Sequence, residues 1–223
     1  MWCNVVHAFS LSDLTNFFKT NKPPTELFGI KLLENINKYS KDKILSFDNL
    51  DHVYGDDKIN VTYLQKLRWV DGNDLVVIKN DNFNIYNIYV NEKLEIEGID
   101  GSNVIDEDEK FQTCLNTKTE LINKIVKLYD LDINSFKEQN YIWSGDSGSE
   151  MKNSIISQSF FKFSHDKIDL IFSLACSIDF NSETSIFWIE LMTEKTEVAI
   201  YSHNYSKTKK SIEQLLSSDL KGI

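Results

Sequence analysis

SQSFFKFSHDKIDLIFSLACSIDFNSETSIFWIELM, residues 157–192, decides the fold. Apolar residues fill three strand-length runs, 157–163, 168–177 and 185–192, separated by the polar breaks at 164–167 and 179–184. Breaks that short leave room only for hairpin turns, so the pattern predicts consecutive antiparallel strands. The middle run, Ile168 to Cys176, is the most continuously apolar, as expected of a strand covered on both faces at the centre of a sheet. A turn at Thr193 to Lys195 and a fourth strand over 196–202 complete a predicted four-stranded meander.

Working outward, Ser206 or Thr208 can cap a final helix with Ile212, Leu215, Leu216 and Leu220 on one face. Upstream, Thr117 and Glu120 stand in the relation of a capping box, followed by Leu121, Ile122, Ile125, Val126, Leu128 and Tyr129 at helical spacing. A loop holding Trp143 and the small residues 144–149 joins that helix to the meander. In the N-terminal half, Ser10 and Asp13 cap a short helix. Pro23 and Pro24 open a second helix, with Leu27, Phe28, Ile30, Leu32, Leu33, Ile36 and Tyr39 as its broad apolar face. Residues 40–60 are polar, with a short strand over 44–47. From Val61 the period is two, and Asp71-Gly72-Asn73 supplies a hairpin turn between 61–69 and 75–78. A second hairpin turns at Asn91 to Lys93, placing Leu94, Ile96 and Ile99 on one face and Glu95 and Glu97 on the other.

The expectation is an α+β chain of antiparallel β-meanders flanked by helices, in the order α-α-β(4)-acidic loop-α-β(4)-α. It divides at residue 110 into a helical pair plus meander (1–110) and a helix, four-stranded meander and C-terminal helix (111–223), or runs as one continuous globular domain over 1–223.

Charge is concentrated at the junction. Of a net charge of −10, residues 92–110 contribute −6, from eight acids against two lysines. Glu95 and Glu97 belong to the strand. Asp100 opens a mobile loop that ends in Asp106, Glu107, Asp108 and Glu109, four consecutive acids that repel one another and belong in solvent or against a positive surface. The chain has 23 lysines but one arginine, Arg68. Planar, bidentate grips on phosphate favour arginine, so both the net charge and the missing guanidinium groups argue against a nucleic-acid partner.

No run reaches the roughly 20 apolar residues that span a bilayer. No Lys or Arg precedes Lys19, so the start lacks the pattern of a signal peptide, and the expected location is the cytoplasm. The three cysteines, Cys3, Cys114 and Cys176, are odd in number and lack zinc-ligand spacing, which predicts reduced, buried thiols.

Gly145-Asp146-Ser147-Gly148 shares its letters with the nucleophile run of trypsin-like proteases, but Ser149 replaces the next glycine and no His-Cys segment precedes it. The run reads as a surface loop. His7, His52, His165 and His203 show neither HExxH nor H-x-H pairing, and the loop from Asp100 carries Ser102 and Val104 where a calcium hand needs oxygen ligands. No catalytic residue, metal site or cofactor is expected. An acidic, Lys- and Asn-rich chain without a catalytic constellation resembles the immunity proteins and antitoxins that bacteria use against basic toxins. That resemblance implies an intracellular inhibitor of a basic protein partner, toxin or effector, with Glu95, Glu97, Asp100 and Asp106 to Glu109 as its contacts, and no membrane role. The alternatives are a hydrolase using His52 with Asp56 or Asp57, and a phage-type or structural assembly component.

Overall fold

The computed structural model describes residues 24–39, 51–54, 64–70, 83, 85–105, 110–144, 152–179, 185–201 and 205–208. Two strands, β1 (Glu26–Leu27) and β2 (Ile30–Lys31), form a small hairpin. The rest build one antiparallel sheet from β3 (Asp51–Tyr54), β4 (Leu64–Val70), β5 (Ile85–Val90), β6 (Ile96–Ile105), β7 (Lys137–Ser144), β8 (Lys152–His165), β9 (Ile168–Asp179), β10 (Ser185–Thr193) and β11 (Tyr205–Thr208). Their order is β11-β7-β8-β9-β10-β6-β5-β4-β3. Helix α1 (Lys110–Tyr129) follows β6, and α2 (Glu194–Tyr201) follows β10.

The meander predicted from residues 157–192 is present as β8, β9 and β10, and β9 is buried on both faces from Leu170 to Ser177. Asp166 and Lys167, both at positive φ, make the two-residue turn between His165 and Ile168, whose backbone twist matches that of the flanking strands. The hairpin turning after Asn91 is also present, and β6 then pairs with β10, joining strands from before and after residue 110 in one sheet.

Several expectations are corrected. The apolar residues after Pro24 do not form a helix. Phe28 and Gly29 both take positive φ and close the β1–β2 hairpin, and a single 3-10 turn follows at Ile36–Lys38. The expected apolar face is nonetheless buried, with Leu27, Phe28, Ile30, Leu32 and Ile36 all in the main core. Asp100 lies inside a ten-residue strand instead of opening a loop. Residues 137–144 form β7 where a loop was expected. The fourth meander strand is helix α2: the Thr193 hydroxyl accepts the backbone N–H of Thr196, capping the helix, and Glu194 and Glu197 fall in its first turn. Helix α1 also begins seven residues before Thr117, so that threonine is interior to it. Ser206 and Thr208, expected as caps of a final helix, lie instead in β11, paired with β7; the expected helices at 10–18 and beyond 208, and the strands at 44–47 and 75–78, lie outside the described residues.

The core sits between one sheet face and α1. Phe111, Cys114, Leu121, Ile125 and Tyr129, one stripe of the helix, pack with Phe172, Leu174, Phe187, Ile189 and Leu191. Phe28 presses edge-on against Tyr86 (centroids 4.9 Å apart) and Phe83 (5.3 Å). Gly101 makes room for it, since a Cβ there would come 2.4 Å from the Phe28 ring. The cysteines are also corrected: Cys114 of α1 and Cys176 of β9, both fully buried, form a disulfide with Cα atoms 5.9 Å apart. Closing a loop between cysteines 62 positions apart restricts the unfolded chain by about 4 kcal/mol in the chain-entropy account. Among the described residues no helix is long and apolar enough to cross a membrane.

Candidate functional site

The turn between β5 and β6 is built around Asn91. Its Oδ1 accepts the backbone N–H groups of Lys93 (2.9 Å) and Glu95 (3.1 Å), which closes the turn. Its Nδ2 donates to Glu95 Oε2 and Glu97 Oε1, both at 2.9 Å. Two carboxylates that repel each other are thus held side by side by one amide. The Thr196 hydroxyl donates to Glu97 Oε2 at 3.3 Å, beside the Thr193 cap, so this carboxylate lies at the N-terminal end of α2, where helix N–H groups favour negative charge. Asn35 braces the other side, pairing with Glu95 as an isolated bridge and donating from Nδ2 to the Lys93 carbonyl at 3.1 Å. Glu92 and Lys93 at the tip are exposed, and Glu95 and Glu97 are half-buried. The strand alternation located the two glutamates. It gave no sign of Asn91, which the sequence reading used only as a turn residue.

Asp100 has a different setting. It is 6% exposed, with Asn87 Nδ2 donating to Oδ1 at 2.6 Å and the Tyr89 hydroxyl to Oδ2 at 2.9 Å. Its register partner on β10 is Glu190, 4% exposed, which accepts from Ser173 Oγ at 2.6 Å and lies 3.5 Å from Gln158 Nε2. Asn87, Asp100, Glu190 and Ser173 therefore form one polar row across four strands, on the face away from α1, and Arg68 occupies the next register position on β4. Hydrogen-bonded rows of this kind favour one strand register, because a one-residue slip would bury these groups against apolar neighbours. The amide oxygens of Asn87 and Gln158 are buried without a hydrogen-bond partner among the described residues. Sequence reading missed the row, since nothing local distinguishes a buried carboxylate from a solvated one in alternating strands.

Asp106, Glu107, Asp108 and Glu109 lie outside the described residues. They are the four positions between Ile105, the last residue of β6 and paired with Ser185, and Lys110, the first of α1. Acids directly ahead of a helix also complement its dipole, so helix stability gives this run a second physical reason.

On the other sheet face, Lys118 is 3% exposed in the α1 stripe. Its Nζ donates to Ser157 Oγ at 2.6 Å and faces Glu138 Oε1 at 3.4 Å. Burial holds its pKa below the ordinary lysine value, and the Glu138 carboxylate offsets part of that shift. His165 stands at a surface turn with Nε2 3.3 Å from Asp166. His52 falls on β3, while Asp56, Asp57, His7, His203 and residues 145–149 are outside the described residues. Among the described residues no three His, Cys, Asp or Glu side chains are grouped to hold a metal. The chain matches no protein-family model, no curated protein and no solved structure.

Proposed function

We propose that the chain is a binding protein of the immunity or antitoxin kind, which neutralises a basic protein partner by covering its active surface. The observation that supports this is the Asn91 tie. It keeps Glu95 and Glu97 adjacent at the sheet's turn, against their mutual repulsion, with one exposed acid, Glu92, beside them. Pre-ordered side chains avoid about 0.5–1.5 kcal/mol each of ordering cost on binding, so this pair is suited to affinity. The acidic run 106–109 adds long-range attraction and is suited to speeding encounter. Asp100 is not a contact in this reading, because its carboxylate is turned into the polar row.

Affinity capture from the native host at low salt, with the captured protein identified and purified, tests the reading. The expected partner is basic, is released by raised salt, and binds the doubly substituted Glu95→Lys/Glu97→Lys chain at least about tenfold more weakly. Equal affinity for both chains would remove the strand pair from the interface.

A further inference from the structure

We infer that the chain is itself a substrate of thiol oxidation: a disulfide oxidant closes Cys114–Cys176 during folding, before α1 seals against β9, and folding therefore takes place in an oxidising compartment. The bond and its timing do not depend on the binding reading. Cys114 lies in the core-facing stripe of α1, where the helix is firmly seated. Phe111 is buried one turn ahead of it, Leu115 packs against the same core beside it, and Leu121 and Ile125 continue the stripe. Cys176 lies on β9, paired with Ser157 of β8 on one side and with Phe187 of β10 on the other. Both cysteines are 0% exposed, so the bond sits inside the main core and not at its rim.

Closing the bond needs an oxidant, itself a protein or small-molecule disulfide. One cysteine attacks it as the thiolate to give a mixed disulfide, and the second then displaces the oxidant as a dithiol; the chain loses two electrons and two protons, which the oxidant takes up. Both steps need the oxidant's sulfur within reach of a cysteine, and a sealed core with both cysteines buried gives it no path. The bond therefore forms before α1 is sealed. The opposite limit comes from the topology. The cysteines are 62 positions apart, with the rest of α1, β7, β8 and most of β9 between them, so they meet once α1 has come to the sheet. The same burial protects the closed bond, because a reductant must wait for α1 to lift from the sheet. The redox state is thus set where the chain folds and is kept wherever it goes afterwards. In a reducing cytosol, dithiols and glutathione hold cysteines as thiols throughout folding, and the core would seal over two thiols. The cytoplasm expected from the sequence does not supply the oxidant.

The test starts with the full chain taken from its native host, quenched in acid, alkylated while unfolded and digested without reductant. The peptides of Cys114 and Cys176 are expected to be linked to each other. Recovery of both as separate, alkylated peptides would overturn the oxidising compartment. The purified oxidised chain is then given dithiothreitol in native buffer and in concentrated urea. Loss of the bond is expected to be at least about a hundredfold slower in native buffer, and comparable rates would overturn the sealing. Finally, the chain is refolded with oxidised glutathione present from the start, or refolded as the dithiol and given oxidised glutathione afterwards. Closure is expected to be at least about a hundredfold slower in the second order, and equal rates would overturn the timing. A dithiol chain that stays unfolded until it is oxidised supports the timing directly, since the core then does not seal without the bond.

Discussion

Asn91 shows how one residue can serve both fold and site. Its carbonyl closes the turn and its amide gathers two carboxylates. Asn91→Ala loses both sets of bonds and leaves the carboxylates to repel, so urea unfolding is expected to show a loss of about 1–3 kcal/mol. Asn91→Asp should be at least as damaging, because it keeps the turn acceptor while adding a third negative charge. Lys118 makes a pH prediction. Its folded pKa is lowered by burial, so the unfolded chain binds more protons between that value and the ordinary 10.5. The stability linked to this group is fully present above 10.5 and is lost as pH falls through the lowered folded value. Lys118→Met removes the titration, so the parent is expected to gain stability relative to that variant as pH rises toward 10.5. A parallel pair of stability–pH curves would contradict the assignment. Neither role was legible in sequence: Asn91 looks like any turn asparagine, and Lys118 sits between Thr117 and Thr119 with nothing to mark it as inward-facing.

Among the elements, local pattern succeeded where period and turn agreed. β8, β9 and β10 carry strand-length apolar runs with short polar breaks, and they form as read. The failures have physical causes. Leu27, Phe28, Ile30, Leu32 and Ile36 satisfy a helical period, yet Gly29 permits the positive-φ pair that folds them into a hairpin, and the segment then bonds to the start of β6 through Leu33 N–H to Ile96 O at 2.8 Å. Thr196, Val198 and Ile200 alternate like a strand, but the Thr193 cap and the acids of the first turn favour helix. A capping box at Thr117 hid the earlier start of α1. The β1–β2 assignment carries its own test. Phe28 is buried against Tyr86, Phe83 and Gly101, so Phe28→Ala is expected to cost about 3–5 kcal/mol in thermal or urea unfolding. Gly101→Ala should also destabilise, by about 1–3 kcal/mol, through the clash with the same ring. Tolerance of both changes would place Phe28 elsewhere.

At the scale of the molecule, an open antiparallel sheet carries an α1-covered core on one face and a buried polar row on the other. Composition made the acid excess and its focus at 92–110 legible. The division of its described acids into two environments was not: a tied, half-buried pair at Glu95 and Glu97, and an internal carboxylate at Asp100. Long-range register decides which acid is buried, and the disulfide joins residues 62 positions apart; neither leaves a local trace in the sequence. In the proposed binding role, affinity falls to the strand pair and encounter rate to the acids ahead of α1. The most direct test is the association rate of the captured basic partner with the parent chain and with a chain whose residues 106–109 are all lysine, measured at low and at physiological salt. The expected result is at least tenfold slower association for the reversed chain at low salt, with the difference shrinking as salt rises. Equal rates at low salt would contradict the account.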